Sequence, residues 1–272
     1  MPRASHTTTN NRLLSALPSE DFYQLWPDLH RVSWSTRQTL YEVGAPIEHV
    51  YFSEQGIASI VAIMADGSTS EVGMIGIEGI VGASALLGAG VSSQHVMVQL
   101  PGSALRMDAA LCKAAFDLRP AVRATVLRFI DPFLALIAQT AACNRLHSAR
   151  QRCARWLLMA SDRIESDTMA ITHEFLSFML GVRRTGVTAI ARELQRSGLI
   201  EYRHGRIRIL DRPGLQAVAA SATALTMRRF TGCSDPDSPT KRSTLSPLAD
   251  RPRSTLSLAW LTFDAHSGGG QR

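Results

Sequence analysis

An α+β fold is expected from this sequence: a jelly-roll β domain in front, a long helix in the middle and a winged helix-turn-helix behind. Three observations carry that expectation. Between about residues 29 and 107 the chain breaks into short runs rich in Val, Ile and Gly, the texture of a β-sandwich or jelly roll. Residues 171–212 read as helix, tight turn, second helix and two-stranded wing, a unit that lays its second helix in a DNA groove. Charge is divided between these two regions. Residues 183–212 hold eight Arg against Glu193, Glu201 and Asp211, a net of +5. Residues 21–118 hold ten acids against Arg31, Arg37, Arg106 and Lys113, a net of −6. The chain total of +6 hides this polarity, which is expected when one part alone meets phosphates.

The 272 residues suffice for two domains with separate cores. No apolar run approaches the roughly 20 residues of a membrane span, and the stretch MPRASHTTTNNR lacks the apolar core of a signal peptide. A cytoplasmic protein without membrane attachment is expected. Cys112, Cys143, Cys153 and Cys233 are scattered, with no C-x-x-C pair and no His at ligand spacing, so neither a disulfide framework nor a metal site is expected. No cofactor is implied, and no nucleophile–base constellation points to an enzyme.

Taken in order, residues 1–12 are polar and read as a disordered arm, while Leu13, Leu14, Leu17, Phe22, Leu25 and Trp26 suggest short helices packing on the β domain. Residues 50–52, 57–63 and 96–100 read as strands, with a hairpin turn at Ala65-Asp66-Gly67 before Ser70-Glu71-Val72. Residues 109–118 form a short helix and Pro120 opens the next. There Val122, Val126, Phe129, Phe133 and Leu136 or Ile137 recur at steps of four and three, the seam of a two-stranded coiled coil and hence a dimer interface. The alternative is a helix buried all round, against which Arg119, Arg123 and Arg128 imply one exposed side. Asp131-Pro132 interrupts the pattern: it kinks the helix, or restarts it with Asp131 as N-cap. A further helical region spans 139–165, with a domain boundary near Asn144 to Ser148. The expected division is an arm (1–12), a jelly-roll domain (13–118), a dimerisation helix (119–145), the winged helix-turn-helix (146–215) and a disordered Ser/Pro/Arg-rich tail (216–272) in which Trp260 and Phe263 are the only hint of a docking motif.

Within the winged unit, Thr172 is placed to cap a helix and Glu174 puts negative charge in its first turn. Leu176, Met179 and Leu180 share one face, and Gly181 supplies the reversal. Val187, Ile190, Ala191 and Leu194 then share one face of a helix from about Arg184 to Arg196, whose other face carries Arg184, Thr185, Thr188 and Arg192. Arg183 and Arg184 at a helix start oppose its dipole, a conflict that a polyanion removes. The alternative is a solvated helix that is merely rich in Arg. A hairpin comes next, turning at His204-Gly205.

At these residues the chain resembles the Crp/Fnr family of bacterial transcription regulators. The matching positions are Leu180-Gly181-Val182-Arg183-Arg184-Thr185, Leu194-Gln195 and Gly198-Leu199-Ile200, with a looser likeness over roughly residues 12–215. The resemblance implies a cyclic-nucleotide-binding-like sensor in front and a homodimer on a pseudo-palindromic operator of double-stranded DNA. It places Arg184 at a base edge; Thr185 and Thr188 are candidates for base contact, with phosphates as the alternative, and Arg183, Arg192, Arg203, His204 and Arg206 are assigned to phosphates. The family's further base-reading position falls on Ala189, which cannot hydrogen-bond. RNA polymerase is the partner that activation would require, but residue types identify no surface for it.

Residues 73–82, GMIGIEGIVG, stand where the family has its phosphate-binding cassette. Gly76, Glu78, Gly79, Ser92 and Ser93 are the candidate ligand pocket, with Glu78 on a sugar hydroxyl. The glycines could equally serve tight turns. Between Arg37 and Arg106 there is no Lys or Arg, and Val91-Ser92-Ser93-Gln94 stands where the family's phosphate-binding Arg would fall. A buried phosphodiester needs such a partner, so cyclic AMP is not expected to bind in the usual way, and any effector should be neutral or weakly charged. His49 and His95 read as surface or core residues rather than haem or metal ligands, and the cysteine cluster of the family's iron–sulfur branch is missing. The alternative function is a ligand-sensing protein-interaction module whose DNA-binding domain is idle or damaged.

Overall fold

The computed structural model of the chain describes residues 8–219. Helices α1 (Arg12–Ser15) and α2 (Ser19–Leu25) precede strands β1 (His30–Trp34), β2 (Thr39–Tyr41), β3 (His49–Ile63), β4 (Thr69–Ile75) and β5 (Ile80–Val81), helix α3 (Ala83–Leu86) and strand β6 (His95–Asp108). All pairings are antiparallel, in the order β1-β6-β3-β4, with β2 also on β6 and β5 also on β3. The sheet rolls because β3 and β6 are long, 15 and 14 residues, and bend at bulges near residues 53–58. The two strands expected at 50–52 and 57–63 are therefore one. Gly56, at φ +86°, carries the chain through the bend, where an added Cβ would lie 2.5 Å from the Leu100 carbonyl oxygen. The hairpin at 65–67 closes as expected, Met64 N donating to Ser68 O at 2.8 Å.

The arm expected over residues 1–12 is ordered where it is described. Asn11 is fully buried, its Nδ2 donating to Ser53 O and Gly79 O at 2.9 Å while its Oδ1 accepts from Leu14 N to cap α1. A lone polar residue gives no periodic signal, so the sequence hid this anchor.

Helix α4 (Ala109–Leu118) is capped by Asp108, which accepts from the amides of Ala110 and Leu111. Helix α5 then runs unbroken from Pro120 to Leu146, 27 residues, through Pro132. Proline removes one helical hydrogen bond; here Phe129, Pro132 and Leu136 are all buried, and that packing offsets the loss. The predicted dimer seam must be corrected. Val122, Val126 and Phe129 lie in the sensor core of their own chain, and Phe133 packs against it. Ile137 is half-buried. A second row at the same spacing, residues 124, 127, 131, 134, 138 and 141, is exposed instead and carries Ala124, Leu127, Leu134, Ala138 and Ala141 around Asp131.

The C-terminal region comprises α6 (Ala149–Ile164), β7 (Thr168–Ala170), α7 (His173–Leu180), α8 (Arg184–Arg196), β8 (Ile200–Arg203), β9 (Arg206–Ile209) and α9 (Arg212–Ala219). Ser148 and Gln151 form a reciprocal capping box at the start of α6. The wing has three strands, ordered β7-β9-β8, not two; only Met169 of β7 is buried, too little for a sequence pattern. Residues 216–219, expected in the tail, belong to α9, anchored by buried Leu215 and Ala219. Cys233, Trp260, Phe263 and the rest of the expected tail lie outside the described residues.

The winged region packs on the sensor. Ile57, Val61, Met74, Met97 and Leu100 of the sheet share a core with Leu157, Phe175, Met179 and Leu180, and Arg37 reaches Glu174 at 3.6 Å. Within this junction Glu71 is buried, its Oε2 accepting from Ser59 Oγ at 2.6 Å and Gln99 Nε2 at 2.8 Å. Burial pushes its carboxyl up from 4.5 to about 7, against the opposing pull of Ser59, Arg163 and Gln99. The folded state thus favours the protonated acid. The stability this contributes is full below the unfolded value and is lost as pH rises through about 7. Glu71→Gln should flatten that dependence and gain about 3 kcal/mol over the parent near pH 8, read by urea unfolding; a parent that grows more stable from pH 5 to 8 through this residue would refute the assignment.

Candidate nucleic-acid interface and sensor cavity

Helix α8 has two unlike faces. Val187, Ile190, Ala191 and Leu194 are buried, while Arg183, Arg184, Thr185, Ala189 and Arg192 are exposed. Arg183 is the N-cap but makes no side-chain capping bond, so the helix start offers bare amides beside two guanidinium groups. In the wing, His204 (φ +50°) and Gly205 (φ +73°) form a turn with both residues left-handed, as a tight hairpin requires. Arg203, His204 and Arg206 are exposed there, Arg203 and Arg206 paired across the ladder. Arg208 is instead held by Glu201 at 2.9 Å.

His173, absent from the sequence-derived site, joins these parts. Its ring stacks on Tyr202 of the wing, centroids 4.0 Å apart, and its Nδ1 lies 3.1 Å from Thr188 Oγ1. Thr188 Oγ1 donates to Arg184 O at 3.1 Å, so it accepts from His173, whose hydrogen then sits on Nδ1. Thr188 is thereby a brace between α7 and α8, half-buried and with its proton spent. Burial, then Arg184 and Arg192, lower the His173 pKa, which places those two cations near one ring. Two further ties fix the unit: Arg150 to Glu193 at 3.0 Å, and Arg152 Nη1 to Leu180 O at 2.8 Å.

The candidate pocket residues do not come together. Ser92 and Ser93 line a cavity of about 220 Å³ between the sheet and α5. Gly76, Glu78 and Gly79 face elsewhere. Glu78 is buried in an ion pair with Arg163 of α6, Oε1 to Nε 2.7 Å, while its Oε2 accepts from Gly76 N at 3.1 Å. A Cβ on Gly76 would lie 2.7 Å from Arg163 Cβ, and one on Gly79 would overlap the Phe129 ring. These glycines make room for α5 and α6. His95 pairs with Glu42 at 2.9 Å and His49 is half-buried.

A rolled antiparallel sheet joined by a long helix to a winged helix-turn-helix defines a β-roll domain coupled to a module of the nucleic-acid-binding type. The cyclic nucleotide-binding domain family matches residues 31–117, and the Crp-like helix-turn-helix domain family matches residues 151–218. The chain belongs to the Crp/Fnr family of transcription regulators. Among solved structures it is similar in fold to a CRP-family transcriptional regulator from Thermus thermophilus, with TM-score 0.61 and 20% identity, covering 71% of this chain and 98% of that one. FixK2 from Bradyrhizobium japonicum gives 0.62 and 16%, covering 71% and 98%. The c-di-GMP responsive regulator CLP of Xanthomonas campestris gives 0.60 and 16%, covering 71% and 100%. No curated protein matches by sequence.

Glu78 and Arg163 are both more than nine-tenths buried, 2.7 Å apart, so removing the Glu78 carboxylate takes away a charge that compensates a buried guanidinium. Glu78→Ala should cost about 3–5 kcal/mol by denaturant unfolding, and Glu78→Met with Arg163→Met should restore most of it. A cost below about 1 kcal/mol would mean that water reaches the pair.

Proposed function

We propose that this chain is a sequence-specific transcription regulator that binds a pseudo-palindromic operator as a homodimer. The observation that carries the reading is α8: one face locked into the core, the other presenting Arg183, Arg184, Thr185 and Arg192 beside a wing turn with Arg203, His204 and Arg206. Arg184 is the base reader, since Arg to guanine is the commonest specific contact. Thr185 stands next to it. Thr188 positions Arg184 through its carbonyl rather than reading a base itself. The remaining cations bind phosphates. Ala189 contributes no hydrogen bond, so fewer base pairs are read directly. The working cellular setting is the cytoplasm, and RNA polymerase is a partner only if the effect is activation.

The dimer forms through the outward row of α5, Leu127 and Leu134 with Ala124, Ala138 and Ala141, where small residues let two helices approach closely. Leu127→Glu should convert dimer to monomer in sedimentation; a persistent dimer would exclude this seam.

Selection of bound sequences from a random DNA pool, at two salt concentrations, tests the function. A two-fold symmetric motif with half-sites roughly one helical turn apart is expected. Salt-sensitive binding without any motif would reduce the site to a basic surface. On the selected operator Arg184→Ala should cost about 1–3 kcal/mol and relax one base pair, while an equal loss on random DNA would assign Arg184 to phosphate.

A further inference from the structure

We propose that His173 is a positioning residue through which DNA binding takes up a proton, one in each subunit, so that this protein holds duplex DNA more tightly as pH falls. It rests on the reading of α8 as the DNA-contacting face. A positive charge is badly placed on this ring in the free protein. His173 is the first residue of α7, where unbonded backbone amides already present positive charge. Its Nδ1 reaches Thr188 at 3.1 Å, and Thr188 stands one turn of α8 from Arg184 on one side and from Arg192 on the other. The Tyr202 ring of the wing covers one face, centroids 4.0 Å apart. The acids of these elements are drawn off elsewhere: Glu174 lies 3.6 Å from Arg37, Glu193 3.0 Å from Arg150 and Glu201 2.9 Å from Arg208. Two cations, a phenol and a helix start therefore surround the imidazole.

Its one hydrogen sits on Nδ1, so a second would go to Nε2, which is buried and meets no partner among the described residues. Burial first, then Arg184 and Arg192, lower its pKa, and the ring is neutral at pH 7. DNA reverses that balance. A phosphate drawn to Arg184 or Arg192 brings the negative charge that the ring lacks, and an imidazolium there adds to the attraction. A group whose proton affinity rises on binding strengthens that binding as pH falls, by up to about tenfold per proton for each pH unit. Neutral His173 still braces α7, α8 and the wing, so only the charge is conditional.

The test uses the full chain carrying His204→Asn, which removes the exposed histidine of the wing turn, and a mixed-sequence duplex of about 30 base pairs at about 50 mM salt. Affinity is measured from about pH 5.5 to 8, and protons are counted by calorimetry in two buffers of different ionisation enthalpy. Binding should tighten at least about tenfold as pH falls across that range, with net proton uptake. His173→Asn, which keeps a donor for Thr188, should match its parent at pH 8 and lose both the slope and the uptake. In the parent, the His173 ring resonance should titrate at higher pH with DNA than without it. A slope and proton count unchanged by His173→Asn, or a ring titration that DNA does not move, would overturn the proposal. Duplex held equally at every pH would overturn it and leave the regulator reading standing, whereas no binding at any pH would overturn both.

Discussion

The buried Glu78–Arg163 pair is the contact on which the arrangement of this molecule turns. An ion pair more than nine-tenths buried at both ends is costly to form and costlier to break, so it fixes which surface of α6 meets which loop of the sensor. Gly76 is required beneath it because any side chain would collide with Arg163, and Gly79 is required next door because Phe129 occupies its space. One acidic residue and two glycines, which in the related fold suggest an anion cradle, here seat two helices. Glu78, Gly76 and Gly79 thereby form the joint between the sheet and the two helices.

That substitution of roles carries through to the cavity. With the polar cassette consumed, the space beneath α5 is bounded by aliphatic and aromatic side chains and a thin polar rim. Its far wall is the same helix that presents Leu127 and Leu134 outward. Helix α5 therefore has one face on the cavity and the core and the other, with Leu127 and Leu134, on the surface. Pro132 does not break the helix, because its neighbours Phe129 and Leu136 pack on either side of it.

On the nucleic-acid side, α6 acts as a frame. Arg152 caps the end of α7, Arg150 holds α8 through Glu193, and His173 ties α7, α8 and the wing by one hydrogen bond and one ring stack. The exposed cations of α8 and the wing are therefore offered from a braced unit, and recognition costs little ordering of backbone.

The sequence alone determined the α+β architecture, the bounds of α4 and α8, the turns at Gly67, Gly181 and Gly205, and the basic face of α8. Each rests on local periodicity, capping or a positive φ, which neighbours in sequence supply. Tertiary structure decided the rest. α5 carries two apolar rows at the same spacing, and only packing shows that Val122, Val126 and Phe129 face the sensor while Leu127 and Leu134 face outward. Asn11, Glu78, Arg163 and His173 act through partners far along the chain or across an element, and no spacing rule announces them. A periodic pattern says that a face is buried; what it is buried against is settled by contacts between residues the chain places far apart.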